Sequence, residues 1–354
     1  MVRKYHITGG AAPRPPAKRV IFCDGGVDES YRPGVDLELS HWIPNRTPER
    51  YKASTSTEIC LRFVSEGGPL ADYDLVVNNH VDVDGVLSTF VLLEPELSQL
   101  HADTIAGAAV MGDFWGWAER PSQVLCHALA LEIAQSRSSD PNVIYEACYA
   151  RTKAVLCGAC DDAWLPALET LQAAVDRIED GQVLRAELTP RLTHYAIPEE
   201  LAQRDLSAAL AIPAFNRPLS STALLPPHAR ARFDSERVQL VSVESANGWY
   251  YDLHYPGYTW ADTVGLWRPP GVHSKGSSNQ HTLKHPPLLE ALQGLSASSD
   301  VGGAFLVTRE LSPFAAVPGR GFPVIAAYLC GNDPAACDVP PDQVGENLAR
   351  VFVD

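Results

Sequence analysis

Three side chains able to do chemistry fall within one short turn, HVDVDG at positions 80–85. His80, Asp82 and Asp84 offer an imidazole and two carboxylates, and carboxylates this close repel each other unless a cation lies between them. An imidazole favours Mn, Fe, Co or Zn over Ca, whereas carboxylates suit Mg and Mn. The turn therefore predicts a site for Mn²⁺ or Mg²⁺. A simpler alternative is that the acids only cap the next helix, but this explains one Asp and not both together with the His.

The predicted elements bring further acids toward this turn. Short apolar runs at 19–23, 74–78 and 105–111 are predicted strands, and Asp24, the 80–85 turn and Asp113 follow them. In parallel sheets, ligands bind where loops leave the carboxyl ends of the strands. We therefore expect Asp113 to complete or bridge the metal site. Asp24 stands in an acidic DGGVDE segment, which an ordinary turn would also explain.

Alternating strands and helices predict an α/β protein with a wound, largely parallel sheet and helices on both faces. A second, smaller α+β domain should follow, with strands at 238–243, 249–260, 305–308 and 322–328. The region from 143 to about 188 is predicted to be helical. The expected divisions are a flexible arm at 1–17, the metal-site domain at 18–205, a linker at 206–227 and the substrate domain at 228–354.

One loop of the second half is rich in basic or titratable nitrogen groups. Residues 273–285 include His273, Lys275, His281, Lys284 and His285 among Gly and Ser. Such a loop could bind the phosphate or carboxylate of a substrate across an interdomain cleft. The alternative is a solvated surface loop.

Composition limits the partners. The net charge of −15 argues against general nucleic-acid binding, because phosphates repel such a surface. We expect no membrane span, since no apolar run nears the length needed, and a cytoplasmic location, since no secretory signal is recognisable. The eight cysteines are then expected to be reduced, and the role of Cys157 and Cys160 stays open, as does the oligomeric state.

The segment DLVVNNHVDVDGVLS at 74–88 resembles the first motif of the DHH phosphoesterase superfamily, and Asp113 in MGDF is similar in placement to the second-motif Asp. The resemblance covers about residues 74–115. It implies a two-domain, Mn- or Mg-dependent hydrolase of a phosphoester or phosphoanhydride in a small phosphorylated molecule or nucleotide. His80, Asp82, Asp84 and Asp113 would hold the metal, with Asp82 and Asp84 in catalysis. The family's Asp-His-His and Gly-Gly-Gly-His motifs do not follow in this chain.

Two other interpretations remain open. The DVDGVL segment also resembles the nucleophile motif of haloacid dehalogenase phosphatases, in which Asp82 would attack phosphorus and Asp84 would act as acid and base. A non-catalytic binding or scaffolding relative of the DHH enzymes would explain the missing motifs.

Overall fold

A parallel sheet lies at the centre of the first half of the protein. The structure, a computed structural model, describes residues 4–203, 205–211, 215–274, 281–299, 302–315 and 317–353. The sheet has the order β1-β4-β2-β3 with all neighbours parallel. Its strands are β1 (Lys4–Ile7), β2 (Val20–Cys23), β3 (Leu37–Leu39) and β4 (Leu75–Asn78). The predicted α/β class with a parallel sheet is therefore confirmed.

Helices pack against one face of this sheet. Ile21, Leu39 and Val76 join a large apolar core with residues of the surrounding helices. The opposite face forms a smaller cluster in which Phe22 and Val77 contact loop residues, so helices on both faces are not confirmed. The helices are α1 (Ser56–Ser65), α2 (Val83–Leu93), α3 (Pro95–Leu100), α4 (Ala102–Phe114), α5 (Arg120–Gln135), α6 (Pro141–Leu156) and α7 (Leu165–Glu179).

The prediction of a strand at 105–111 was wrong, because these residues lie in helix α4. The run IAGAAVM is apolar all round and fully buried helices share that pattern, so periodicity alone does not separate the two. Gly107 and Gly112 instead allow close helix packing: a Cβ on Gly112 would lie 2.7 Å from Cβ of Val83. Asp113 consequently sits in the last turn of a helix and not at a strand end.

Two other boundaries also differ from prediction. The predicted flexible arm contains β1, which pairs with β4 from Lys4↔Leu75 to Ile7↔Asn78. The predicted helical region to about 188 ends with α7 at Glu179, and a strand begins at Leu184. Two strands of the first half thus enter the sheet of the second half.

That second sheet is largely antiparallel and runs β11-β13-β8-β7-β6-β5, with β14 paired to β13. The four strands predicted for the second half each have a counterpart in it, but the one predicted at 249–260 ends at His254. A small sheet, β12-β10-β9, lies beside it. The strands are β5 (Leu184–Thr189), β6 (Leu192–Ile197), β7 (Val238–Ser245), β8 (Gly248–His254), β9 (Val272–Ser274), β10 (His281–Leu283), β11 (Ala304–Val307), β12 (Glu310–Leu311), β13 (Val324–Cys330) and β14 (Asp333–Pro334).

The remaining helices connect and cover these sheets. They are α8 (Glu199–Ala202), α9 (Leu206–Ala209), α10 (Pro227–Asp234), α11 (Pro286–Ala297) and α12 (Pro341–Ala349). Helix α10 packs on α7 of the first half. Among the described residues, no helix has the length and apolar character that crossing a membrane requires.

Candidate metal centre

Six acidic and imidazole side chains converge at the carboxyl edge of the parallel sheet. Asp24 follows β2, His41 follows β3, and the 80–85 turn joins β4 to α2. Because β2 lies between β3 and β4, these three connections are neighbours in space. Asp113 reaches the same place from the last turn of α4. The sequence-predicted metal residues are therefore brought together, and Asp24 and His41 join them. We call these six residues the cluster.

Asp24, His80 and Asp82 form the first group able to hold a metal ion. His80 Nε2 lies 2.8 Å from Asp82 Oδ2 and 3.0 Å from Asp24 Oδ2. Both carboxylates are buried, whereas His80 keeps a partly exposed side chain. This group is therefore the side of the cluster that faces solvent.

A second group, Asp24, His41 and Asp84, lies deeper and shares Asp24 with the first. His41 Nε2 is 3.7 Å from Asp24 Oδ1 and 3.7 Å from Asp84 Oδ2. Asp113 Oδ2 adds a fourth group at 3.2 Å from the same nitrogen. Asp24 thus turns Oδ2 toward the first group and Oδ1 toward the second. Because Oδ1 also accepts from Trp42 Nε1 and Ser56 Oγ, a cation bound there would replace one of these donors.

A hydrogen bond from Nδ1, the ring nitrogen that faces away from the cluster, orients each of the two imidazoles. His41 Nδ1 donates to the carbonyl oxygen of Ser54 at 2.7 Å, and His80 Nδ1 donates to Oδ1 of Asn79 at 2.8 Å. With Nδ1 held as a donor, Nε2 is the ring nitrogen that faces the cluster, and it would become a ligand when a cation replaces its proton. Histidines that ligate metals are commonly oriented by a hydrogen bond of this kind.

Backbone N–H groups hold two of the carboxylates in place. Ser56 N and Thr57 N, in the first turn of α1, each donate at 2.9 Å to a different oxygen of Asp84. Asp82 caps α2, and its Oδ1 accepts from Gly85 N at 2.7 Å. Each of these oxygens keeps a second lone pair, so the acids are positioned and still able to ligate.

The buried charges of the deeper group strongly shift one another's protonation. Burial raises the pKa of Asp113 to about 7, although His41 beside it acts in the opposite direction. Burial would lower the pKa of His41, but the carboxylates of Asp113, Asp84 and Asp24 raise it to about 10. Burial, with Asp24 and Asp113 nearby, raises the pKa of Asp84 well above its usual value. The group therefore needs bound positive charge to keep its acids ionised.

The first group, Asp24, His80 and Asp82, likewise needs positive charge to compensate its buried carboxylates. Burial opposes the charged form of His80, yet the carboxylates of Asp82 and Asp24 raise its pKa well above the usual value. Burial opposes ionisation of Asp24, but His80 and His41 lower its pKa below the usual range. Within the described part of the chain, the ion-pair contacts of these acids are all to the two histidines. Divalent cations would supply the positive charge that protons on the histidines otherwise provide.

Three buried atoms of the cluster have no polar neighbour among the described residues apart from other atoms of the cluster: Asp24 Oδ2, His41 Nε2 and Asp113 Oδ2. Buried acids and imidazoles that meet only one another are costly unless their charges are compensated. All three belong to residue types that bind Mn²⁺, and hard carboxylate oxygens also suit Mg²⁺. The donor set therefore fits the predicted metals.

Aromatic rings from both halves border the cluster. The ring of Trp260 lies 5.0 Å from that of His41 and 4.9 Å from that of Trp42, whose own ring lies 5.1 Å from that of His80. The backbone N–H of Asp262 donates to the carbonyl oxygen of His41 at 2.7 Å. The second half of the chain thus contributes one wall of the candidate site.

The residues predicted to bind substrate separate into two kinds. His273 on β9 and Lys284 after β10 are exposed, whereas His281 and His285 are buried. Burial lowers the pKa of His281, and the nearby backbone of Trp260 partly opposes this. His281 is thereby linked to the aromatic wall, while Lys275 lies outside the described residues.

The comparisons with known proteins identify a family but no activity. A family model described as "Family of unknown function (DUF6687)" matches residues 11–273, more than half of the chain. The chain belongs to this family. The DUF6687 match includes all six cluster residues. No curated protein matches the chain.

Sequence reasoning missed His41 and assigned Asp24 no role. Asp24 carried a usable signal, since it follows a predicted strand. His41 carried none, because it lies two residues after a strand of only three residues, in LSHW. Only the order of the parallel strands places it beside the 80–85 turn.

Proposed function

We propose that this protein is a divalent-metal-dependent hydrolase that cleaves a phosphoester or phosphoanhydride of a small molecule or nucleotide. The observation that carries the proposal is the sharing of buried Asp24 by two groups of ligands. Sites of this kind hold two cations a few ångströms apart and act on phosphate groups.

The ligand assignment follows from the contacts. His80 and Asp82 would hold one cation, His41, Asp84 and Asp113 the other, and Asp24 would bridge them. When bound, Mn²⁺ or Mg²⁺ would polarise a phosphoryl oxygen and make a water molecule acidic enough to attack. The imidazoles favour Mn²⁺ of the two.

The resemblance to DHH phosphoesterases supports the same function. The chain lacks the sequence Asp-His-His, but Asp24 and His41 offer a carboxylate and an imidazole at the cluster. Both precede the 80–85 turn in the chain, so the sheet order supplies in space what a contiguous motif would supply in sequence.

The residues of the chain have defined tasks in this scheme. Asp84 is fixed by the N-terminus of α1 and cannot swing toward a substrate. Asp82 lies at the more exposed group, beside His80, where a substrate phosphate would enter. The aromatic wall of Trp42 and Trp260 excludes water from the inner side, which strengthens electrostatic interactions with the phosphate.

Turnover distinguishes this proposal from the non-catalytic alternative. The purified protein is assayed with bis(p-nitrophenyl) phosphate and with nucleotides, in Mn²⁺ and in Mg²⁺. We expect hydrolysis that Asp84→Asn abolishes and that Asp103→Asn, an exposed acid in the first turn of α4, leaves unchanged. Hydrolysis that persists in the Asp84→Asn variant would refute the assignment. No hydrolysis in either metal, with tight metal binding retained, would favour the binding or scaffolding role.

A further inference from the structure

A cavity of about 350 Å³ lies at the seam between the two halves, and the cluster residues are not among the described residues that line it. It opens between the end of α4, the helix α10 and the end of β8. A volume of this size is typical of small-molecule sites. Five of its lining side chains are aromatic: Phe114, Trp115, Trp117, Tyr255 and Tyr258.

The cavity adjoins the cluster from behind. The ring of Phe114 lies 5.6 Å from that of His41. Ser54, whose carbonyl oxygen orients His41, is also a lining residue. A ligand here would therefore contact the groups that position a metal ligand.

Arg230 lies next to the cavity with an unsatisfied charge. Its side chain is buried, and neither Nε nor Nη1 has a hydrogen-bond partner within the part of the chain that the structure describes. Burial lowers its pKa to about 10. A buried guanidinium with two free nitrogens is destabilising unless an anion compensates it.

His254 connects Arg230 to the cavity. Arg230 Nη2 lies 3.3 Å from His254 Nδ1, and since arginine can only donate, Nδ1 must accept. The neutral ring then carries its proton on Nε2. His254 is buried and lines the cavity, so it presents a donor there with a positive charge directly behind it.

The other charges near this end do not cancel that of Arg230. Asp252 pairs with Arg320, and Asp234 pairs with Arg185 and Arg237. At the rim, Arg232 packs over the ring of Trp117 and pairs with Glu179 at 3.5 Å, and Glu236 also lines the cavity there. The inner end of the cavity thus keeps an excess of positive charge.

We infer that this cavity binds a small planar aromatic molecule carrying one anionic group. The ring would stack among the five aromatic side chains, and the anion would accept from His254 with Arg230 behind it. Aromatic walls account for the ring, and the unpartnered guanidinium accounts for the anion. This inference stands apart from the proposed hydrolysis, because binding here requires neither metal nor turnover.

The test compares two probes of equal shape by isothermal titration calorimetry on the full-length protein without added metal. Indole-3-acetate carries the anion, and indole-3-acetamide is its neutral counterpart. We expect the acetate to bind about tenfold tighter or more, as a charge-assisted hydrogen bond in a buried site would give. Equal affinity, preference for the amide, or no binding of the acetate at millimolar concentration would overturn the inference.

Four variants locate the binding. Ala231→Phe fills the cavity from α10 and should abolish binding, whereas Ala163→Phe adds the same ring at an exposed position and should not. Arg230→Met should make the two probes bind alike, and Arg230→Lys should restore part of the preference. Acetate binding that survives Ala231→Phe would contradict the location. If Arg230→Met fails to fold, the comparison of probes across the two Ala variants still decides the matter.

Discussion

Five of the six cluster side chains, all except Asp113, are held by a polar partner outside the cluster within the described part of the chain. Asp24 Oδ1 accepts from Trp42 Nε1 at 2.7 Å and from Ser56 Oγ at 2.9 Å, while the histidines are oriented through Nδ1. Such supporting contacts fix the direction of a ligand's lone pair before any metal arrives. Residues behind the cluster should therefore matter for metal binding almost as much as the ligands themselves.

Tyr145 is the clearest test of this support. Its hydroxyl donates to the carbonyl oxygen of His80 at 2.9 Å and accepts from Asn78 Nδ2 at 2.9 Å. Tyr145→Phe leaves the His80 carbonyl oxygen and the Asn78 side-chain amide without this hydrogen-bond partner. We therefore expect a loss of about 1–3 kcal/mol in unfolding free energy. We also expect Mn²⁺ affinity about 10- to 100-fold weaker, measured by calorimetry.

Tyr149→Phe is the matched control, one turn further along α6. Its hydroxyl donates to Thr89 Oγ1 at 2.6 Å and makes no direct hydrogen bond to the 80–85 turn among the described residues. This variant should lose stability but keep wild-type Mn²⁺ affinity. Equal Mn²⁺ affinity in both variants would mean that the turn needs no support from Tyr145.

The backbone around Gly85, which carries part of the cluster, is packed too closely for any larger side chain. Helix α2 begins at Val83, inside the 80–85 turn, and Gly85 in its first turn lies close to residues of the turn, β4 and α6. A Cβ on Gly85 would lie 2.4 Å from Asn78 Nδ2, 2.7 Å from the Tyr145 hydroxyl oxygen and 2.9 Å from Asp82 Oδ1. None of these three atoms can move away easily, because each takes part in a hydrogen bond.

Gly85→Ala should accordingly disturb the start of α2. We expect a loss of about 1–3 kcal/mol in unfolding free energy from the overpacking, together with weaker metal binding. Gly294→Ala in α11 is the control, since its Cβ would meet nothing within 4 Å and should stabilise the protein by about 0.5–1 kcal/mol. Thermal and urea denaturation of both variants measure the difference. A Gly85→Ala protein as stable as the wild type would show that the close contacts are relieved at little cost.

Elements whose signals are local could be predicted from the sequence. The Thr55 and Glu58 capping box marks α1, and short apolar runs mark β2 and β4. The prediction of a strand at 105–111 failed because Ala and Gly in a buried segment suit a packed helix as well as a strand. The sequence does not reveal His41 or the sharing of Asp24 between two groups, since both depend on the strand order, which pairs β2 with β3 and β4 through long-range contacts.

Over the whole molecule, the two halves meet around the cluster. Asn216 Nδ2 donates to the carbonyl oxygen of Val81 at 2.9 Å, and Leu219 N donates to Nδ1 of His127 at 3.0 Å. The 206–227 segment, predicted as a linker, thus packs on the first half in its described part. Protonation of His127 would break one of these contacts.

Stability should consequently fall in mild acid. Burial lowers the pKa of His127 to about 4, so between its unfolded value of about 6.5 and pH 4 the unfolded chain binds the extra proton. The stabilisation is complete above about pH 6.5 and is lost as the pH falls toward 4, by about 2 kcal/mol between pH 7 and 5. His127→Asn keeps an acceptor for Leu219 without titrating. Urea denaturation at both pH values should show a smaller loss for the variant, and parallel losses would exclude His127 as a source.

The central claim, that Asp24 joins two metal sites, is tested most directly by counting bound Mn²⁺ per chain. Calorimetry with elemental analysis should give about two equivalents for the wild type and for Asp28→Asn, an exposed control. We expect about one equivalent for His80→Asn and for His41→Asn, each of which loses one site, and less than one for Asp24→Asn. An Asp24→Asn protein that binds as much Mn²⁺ as the wild type, with the same affinity, would contradict the account.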